Sequence, residues 1–314
     1  MGNRVREGFG ETRPRTGLTR KDHRPPGASR DNAGSGVTQR AGQAPKAPPP
    51  GREPLPTCVQ GLPPLPPEYG AVLEAGLPRI AAGGPADTAA DAALPGTARQ
   101  AIDDHVRLLL AWNEAINLSG IRAPEAIARE HVLDSLTALP LLRSARVDEF
   151  VDLGSGAGYP GLPLAAALPA RRALLVDSIA KKARFIETAV QATGLAPRVA
   201  VAAARAESLA VDPRHRGRWQ AVVARAVAEL ADLAELGLPL LAPGGILVAW
   251  KRLPCDEELA RAQRAAPHLG GRLSACRTVA VPGLENHALA VIEKVAPTPP
   301  QYPREPAVRR RRPL

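Results

Sequence analysis

Little in this sequence suits an oxidising compartment or a bilayer. Three cysteines stand in 314 residues, Cys58, Cys255 and Cys276, with no C-x-x-C pair and no metal-type spacing. That argues against a disulfide framework and against a bound metal, and it fits a reducing compartment, the cytoplasm. No apolar run approaches the roughly 18–20 residues that span a bilayer, so no membrane association is expected. The N-terminus is Arg-rich and polar, without the apolar core of a secretory signal. Met1 is the only methionine, so no internal Met marks a second start.

Apolar residues and proline are plentiful, at 45% of the chain and 34 residues. The prolines are uneven: sixteen fall in residues 1–95, twelve in 96–294 and six in the last twenty. Charge divides likewise, with net +3, +3 and +4 in the three segments out of a total of +10. A basic chain suggests a polyanionic partner, but the middle segment is only mildly basic, so charge alone settles nothing.

Residues 1–95 contain APPPGREPLP and GLPPLPPEY and few aromatics. Such a segment buries too little apolar surface to offset an ordering cost of about 1–2 kcal/mol per residue. It is expected to be a disordered extension, or a start placed too far upstream, with at most a weak helix near Glu68–Ala75. Residues 96–147 read as a helical part. Ile102, Val106, Leu109, Trp112 and Ile116 recur at helical spacing, and Pro124 opens a second helix through PEAIAREHVLDSLTALPLL.

Residues 148–294 alternate short apolar runs with helical ones. Expected strands are 149–153, 172–177, 198–203, 220–225, 245–250, 277–281 and 288–293, with helices at 160–168, 180–193, 228–241 and 256–267. Runs buried on both faces predict a mainly parallel, Rossmann-like α/β sheet of seven strands, its last two antiparallel. Residues 295–314 are a Pro/Arg-rich tail ending in Arg309 to Arg312.

The strongest local signal is VDLGSGAGYPGLPL, residues 151–164. A strand ending in Asp152 enters Gly154, Gly156 and Gly158, then a helix begins near Pro160. Glycines permit the tight turn and a ligand's close approach, and free amides at a helix start favour anionic groups. Gly156 to Gly161 is literally G-x-G-x-x-G, so a nicotinamide enzyme is one reading. Asp152 before the first glycine, and Leu241-Ala242-Pro243-Gly244-Gly245 leading into the fifth strand, favour an S-adenosylmethionine site. Asp177, 19 residues beyond Gly158, is placed to accept ribose hydroxyls, and Glu207 stands near the adenine edge.

Arg225 and Lys251 end the fourth and fifth strands over the ligand crevice, as candidates to orient a base. Lys181, Lys182 and Arg184 cluster at a helix start and are candidate phosphate contacts. His131 and Asp134 lie at i and i+3 and share a helix face, more a surface pair than a dyad. No nucleophile, general base or metal triad stands out.

These segments together, WNEAINLSGIRAPEAIAREHVLDSL, FVDLGSGAGYPGLPL, LLVDSIAKKARFI, RAES and VVARAVAEL, resemble the RsmG family, also called glucose-inhibited division protein B. The similarity runs from about Ala98 to Lys294. It implies a class I S-adenosylmethionine-dependent methyltransferase that modifies N7 of a guanine in 16S rRNA of the small ribosomal subunit, acting as a monomer. It places the cofactor at Gly154, Tyr159, Asp177, Ser178, Ile179, Ala206, Glu207 and Arg225. Asn117, Arg122, His131, Asp134, Ser135 and Lys251 match its signature positions, with Arg122 and His131 candidate RNA contacts. Glu130, Arg252 and His287 depart from the pattern, standing where a basic residue, a glycine and an arginine are usual. Guanine N7 carries an in-plane lone pair, so direct in-line transfer needs no general base. A non-catalytic RNA- or ribosome-binding protein, and a class I methyltransferase with another substrate, are the alternatives.

Overall fold

The computed structural model describes residues 54–82 and 94–314; the expected disorder of 1–53 and 83–93 lies outside them. Seven strands form one sheet: β1 (Glu149–Leu153), β2 (Arg172–Asp177), β3 (Val199–Ala203), β4 (Trp219–Arg225), β5 (Leu241–Arg252), β6 (Gly271–Thr278) and β7 (His287–Lys294). Their order is β3-β2-β1-β4-β5-β7-β6. The first five are parallel, and β7 is antiparallel to both β5 and β6.

One expectation needs correcting. The sixth strand was placed at 277–281 but spans Gly271–Thr278. As an edge strand it needs no continuous apolar run, and most of it is exposed or half-buried. The apolar residues Val279 and Val281 lie beyond its end, buried in the core under the helical layer.

Alternation along the strands divides the core in two. Phe150, Leu175, Val223 and Val248 face the layer built by α1 (Pro67–Ala82), α2 (Gly96–Asn113) and the helices that follow. Val151, Leu174, Val222 and Leu247 face the opposite side. A helix α3 opens at Pro124–Ala126, widens into a π-helical stretch Ile127–Leu133 and closes at Asp134–Leu136. After it come α4 (Leu139–Ser144), α5 (Gly161–Ala167), α6 (Ala180–Ala192), α7 (Ala206–Val211), α8 (Leu230–Gly237) and α9 (Asp256–Ala265).

The expected disorder up to residue 95 is corrected for residues 54–82. Tyr69, Leu73 and Ile80 of α1 are buried in the same core as α2 and α3, and the helix expected near 68–75 falls inside α1. Ahead of it the proline-rich run offers carbonyls rather than amides. Trp112 Nε1–H donates to the Pro56 carbonyl (2.8 Å), and Arg107 reaches those of Pro63 (2.9 Å) and Val59 (3.1 Å). Proline's fixed φ lowers the entropy that ordering such a run costs.

The C-terminal segment is likewise not a loose tail. Arg304 pairs with the fully buried Glu235 (Nη2–Oε2, 2.6 Å), and a last helix, α10 (Pro306–Arg311), follows. Tyr302 and Leu314 pack on the second core. Composition hid this because the anchors are an arginine, a tyrosine and a single terminal leucine rather than an apolar stripe.

Candidate active site

The chain leaves β1 through a turn that L side chains resist. Gly154, Gly156 and Gly158 have φ of +73°, +59° and +87°. Neighbouring strands hold the turn. The Gly154 and Ser155 amides donate to the Val176 carbonyl (2.8 and 2.9 Å), and Asp177 accepts from the Gly156 amide (2.9 Å) and the Ile179 amide (2.8 Å). From the other side, His105 of α2 supports the turn. Burial lowers its imidazole to about 4, so it is neutral and its Nε2–H donates to the Ala157 carbonyl (2.8 Å). Sequence reading passed over His105, whose only signal was a polar residue beside the apolar stripe of α2.

Asp152, expected among the cofactor contacts, lies beneath the turn instead. It is fully buried, and its Oδ2 accepts from the Gly161 amide (2.9 Å) at the start of α5. A Cβ on Gly161 would fall 2.5 Å from that oxygen, so the glycine lets the helix start close onto the carboxyl. Burial pushes Asp152 up to about 7, with the Ser155 and Gly161 hydrogen bonds opposing the shift. Its role is to position the turn.

Two cavities open at the carboxyl ends of the strands, on either side of β1 and β4 where the chain order reverses, the usual place for a ligand in such sheets. They share Gly154. The smaller, about 340 Å³, is lined by Ser178, Ala206, Glu207 and Val227, together with Arg309 of α10. The larger, about 490 Å³, is lined by Tyr159, His131, Arg225, Trp250 and Lys182 among others. The expected residues thus separate. Ser178, Ala206 and Glu207 go to one cavity, Gly156, Tyr159 and Arg225 to the other. The exposed Ile179 borders neither.

In the larger cavity Tyr159 and His131 stack with centroids 4.6 Å apart at 18°. The Arg225 guanidinium lies 5.6 Å from the Tyr159 centroid. Beneath them Arg225 Nη1 pairs with Asp134 Oδ2 (2.8 Å) and Nη2 donates to His131 Nδ1 (3.2 Å). Desolvation, then the Arg225 charge, lowers His131 to about 3. It is therefore neutral, with Nδ1 accepting from Arg225 and Nε2–H donating to Ser119 Oγ (2.6 Å). Asp134 also accepts from His287 Nδ1 (2.8 Å), and its carbonyl from Trp250 Nε1–H (2.7 Å). His131 and Asp134 do share a helix face, both reaching Arg225, but the expected surface pair is corrected: they do not bond each other, and Asp134 is buried.

The remaining candidates sort by exposure and partner. Lys251 is held by Glu258 and donates to the Ala228 carbonyl (2.9 Å), so its ammonium is an internal tie at the rim of the larger cavity. Lys182 lines that cavity, while Lys181 and Arg184 are exposed on the same helix start. Arg122 and Asn117 are exposed and line neither cavity; Ser135 is buried and donates to the His131 carbonyl. Asn113, four residues before Asn117, holds the loop that carries Ser119. Its Oδ1 accepts from the Leu118 amide (2.8 Å) and its Nδ2 donates to the Ser119 carbonyl (2.8 Å). Two departures from the family pattern meet each other: Glu130 and Arg252 form an ion pair at 3.7 Å across the cavity rim. No cluster of His, Cys, Asp and Glu among the described residues has a metal-binding arrangement.

The strand order, the antiparallel β7 and the glycine turn after β1 define a class I methyltransferase fold. The family model for GidB, rRNA small subunit methyltransferase G, matches residues 98–284. A protein from Roseiflexus castenholzii carrying that name, ribosomal RNA small subunit methyltransferase G, is 44% identical over 206 residues, covering 66% of this chain and 87% of its own. Its namesake from Deinococcus deserti is 43% identical over 208 residues, covering 66% and 85%. The chain belongs to the rRNA small subunit methyltransferase G family. Among solved structures, TrmN from Thermus thermophilus is similar at 24% identity and a TM-score of 0.40, covering 51% of this chain and 49% of its own.

Proposed function

We propose that the protein methylates N7 of a guanine in 16S rRNA of the small ribosomal subunit, with S-adenosylmethionine as donor. The observation that carries this reading is the pair of cavities that both border the glycine turn at Gly154. They lie side by side at the strand ends, one for each part of a two-part ligand, and 340 Å³ is within the range of small-molecule sites.

The residues present fit an adenosyl cofactor. Glu207 and Ser178 line the smaller cavity. Asp177, expected to take ribose hydroxyls, is buried and borders neither cavity; its two carboxylate oxygens accept from the Gly156 and Ile179 amides, so it holds the turn beside the site. Gly154 leaves no room for a side chain, since a Cβ would fall 2.6 Å from Val227 Cγ2, so the glycine lets Val227 close onto the turn beside the smaller cavity. When bound, this group supplies an electrophilic methyl on a sulfonium.

The larger cavity suits a flat, electron-rich base. Tyr159 and His131 offer π faces, and Arg225 and Lys182 bring positive charge for neighbouring phosphates. The Tyr159 hydroxyl is buried without a partner, and burial keeps it protonated, so it is a donor in want of an acceptor. Neither nitrogen of His131 is free, and both carboxylate oxygens of Asp134 are engaged. The two inner groups of the cavity, His131 and Asp134, are thus committed to other partners and not placed to take a proton, which guanine N7 does not require. The residues act by alignment and by keeping water out.

The test is methyl transfer from labelled S-adenosylmethionine to small subunits lacking their own guanine-N7 methylation, with the modified base located by mass spectrometry. Label on N7 of one guanine of 16S rRNA is the expected result. Cofactor binding without transfer would reject the rRNA substrate, and absence of cofactor binding would reject the enzyme reading in favour of a non-catalytic RNA-binding one.

A further inference from the structure

We infer that the C-terminal segment 297–314 forms part of the cofactor site, with Arg309 as the side chain that recognises the adenine ring. This rests on the reading above, in which the smaller cavity receives the adenosine. It goes beyond the family likeness, because the segment lies outside the matched residues 98–284.

Three observations converge. First, α10 is built into the fold. Arg304 grips buried Glu235 through Nη2 (2.6 Å), Nε (2.9 Å) and its own amide (2.7 Å). Arg216, ahead of β4, reaches back to the carbonyls of Tyr302 (2.8 Å), Thr298 (3.1 Å) and Pro299 (3.0 Å). Second, this anchoring puts Arg309 on the cavity wall, only 8% exposed, with Nη2 donating to Glu207. Third, Arg309 Nε–H is buried with no acceptor. A buried cation carrying an idle donor is costly unless something completes it, and it stands at the wall of a cavity rather than inside a core.

The ligand chemistry follows from that pair. Arg309 Nε supplies a donor, and Glu207, whose Oε1 takes the Nη2 bond, keeps Oε2 as an acceptor on the same cavity wall. The edge of adenine carries the complement, an unprotonated ring nitrogen next to an amino group. Adenine is neutral, so the Glu207 charge balances Arg309 and no anionic group is called for. The segment therefore completes the site rather than closing it, and the cavity remains open with Arg309 in place.

The experiment is calorimetric titration of the full chain with S-adenosylhomocysteine, for the unaltered protein, Arg309→Ala, Arg309→Lys and the exposed control Arg311→Ala. Thermal midpoints without ligand run in parallel. Arg309→Ala is expected to weaken binding roughly tenfold or more. Arg309→Lys, which keeps the charge facing Glu207 but lacks the Nε–H, should also weaken it, with an unliganded midpoint near that of the unaltered protein. Arg311→Ala should bind as before. Equal affinity in both Arg309 variants overturns the inference, and so does tighter binding, which would make the segment an obstruction. If the unaltered chain fails to bind, the adenosine reading falls and takes the inference with it. Full binding by that chain with indifferent Arg309 variants rejects the inference alone.

Discussion

Arg225 at the end of β4 and Asp134 in α3 are 91 residues apart in sequence and joined by a 2.8 Å ion pair beneath the larger cavity. The Asp134 side chain is 2% exposed, so its charge has no water to fall back on, while Arg225 keeps one face toward the cavity. Arg225→Met is expected to cost roughly 3–5 kcal/mol in urea denaturation, because it leaves Asp134 without its cation. The double variant Asp134→Leu with Arg225→Met should cost less than Arg225→Met alone. Methyl transfer should be lost in both, assayed where each is still folded. A double variant as unstable as the sum of the singles would show the pair to be energetically uncoupled.

The glycine turn makes a graded prediction. A Cβ at Gly156 meets nothing nearer than the Gly154 carbonyl at 3.8 Å, so Gly156→Ala suffers only from its left-handed φ, about 1 kcal/mol. At Gly158 the Cβ falls 2.9 Å from His105 Nε2 and must displace the imidazole that supports the turn. Gly158→Ala should lower the thermal midpoint distinctly more than Gly156→Ala. Equal midpoints would mean that His105 yields without cost.

Asp152 makes the protein's stability depend on pH in an unusual direction for a carboxyl. Its folded value of about 7 lies above the unfolded 3.8, so the folded state binds the proton more tightly. Its contribution is fully present below pH ~4 and is lost as pH rises through about 7. His105 and His131, lowered to about 4 and about 3, act oppositely, since their contribution is lost as pH falls below ~6.5. Comparing unfolding of the unaltered protein with Asp152→Asn at pH 5 and pH 8 isolates the carboxyl. The stability difference should shift in favour of the Asn variant at pH 8, by a few kcal/mol at most. An identical difference at both pH values would place the Asp152 titration outside that window.

Salt dependence of RNA binding separates two lysines that look alike in sequence. Lys182 lines the larger cavity, whereas Lys251 is held by Glu258 and the Ala228 carbonyl. Lys182→Ala should reduce the slope of log K against log salt by about one unit, and Lys251→Ala should leave the slope unchanged while lowering the thermal midpoint. A slope change in the Lys251 variant would show that its ammonium leaves Glu258 to meet phosphate.

The sheet was legible in the sequence because buried parallel strands are written as apolar runs, and the turn because only glycine tolerates three left-handed positions so close together. The site was legible in membership more than in arrangement. Asp152 sits where the motif places it, yet it is buried under the turn, bonded to the Gly161 amide, and lines neither cavity. His131 and Asp134 share the helix face that their spacing predicts, but the histidine that bonds Asp134 is His287, 153 residues away, beyond the reach of local periodicity. The two flanking segments were misjudged for a common reason. Alongside a few buried apolar residues, each is tied down by arginine or tryptophan donors to proline-rich backbone carbonyls, and a hydrophobicity pattern does not record such bonds.

Asp134 receives hydrogen bonds from β4, β5 and β7, through Arg225, Trp250 and His287. A helix fastened to three strands by one residue cannot peel away while the sheet stays intact. Unfolding of the helical layer and of the sheet should therefore coincide in a single cooperative transition. Amide hydrogens of α3 and of the central strands would then exchange through the same global opening, and the two parts of the chain would behave as one folding unit.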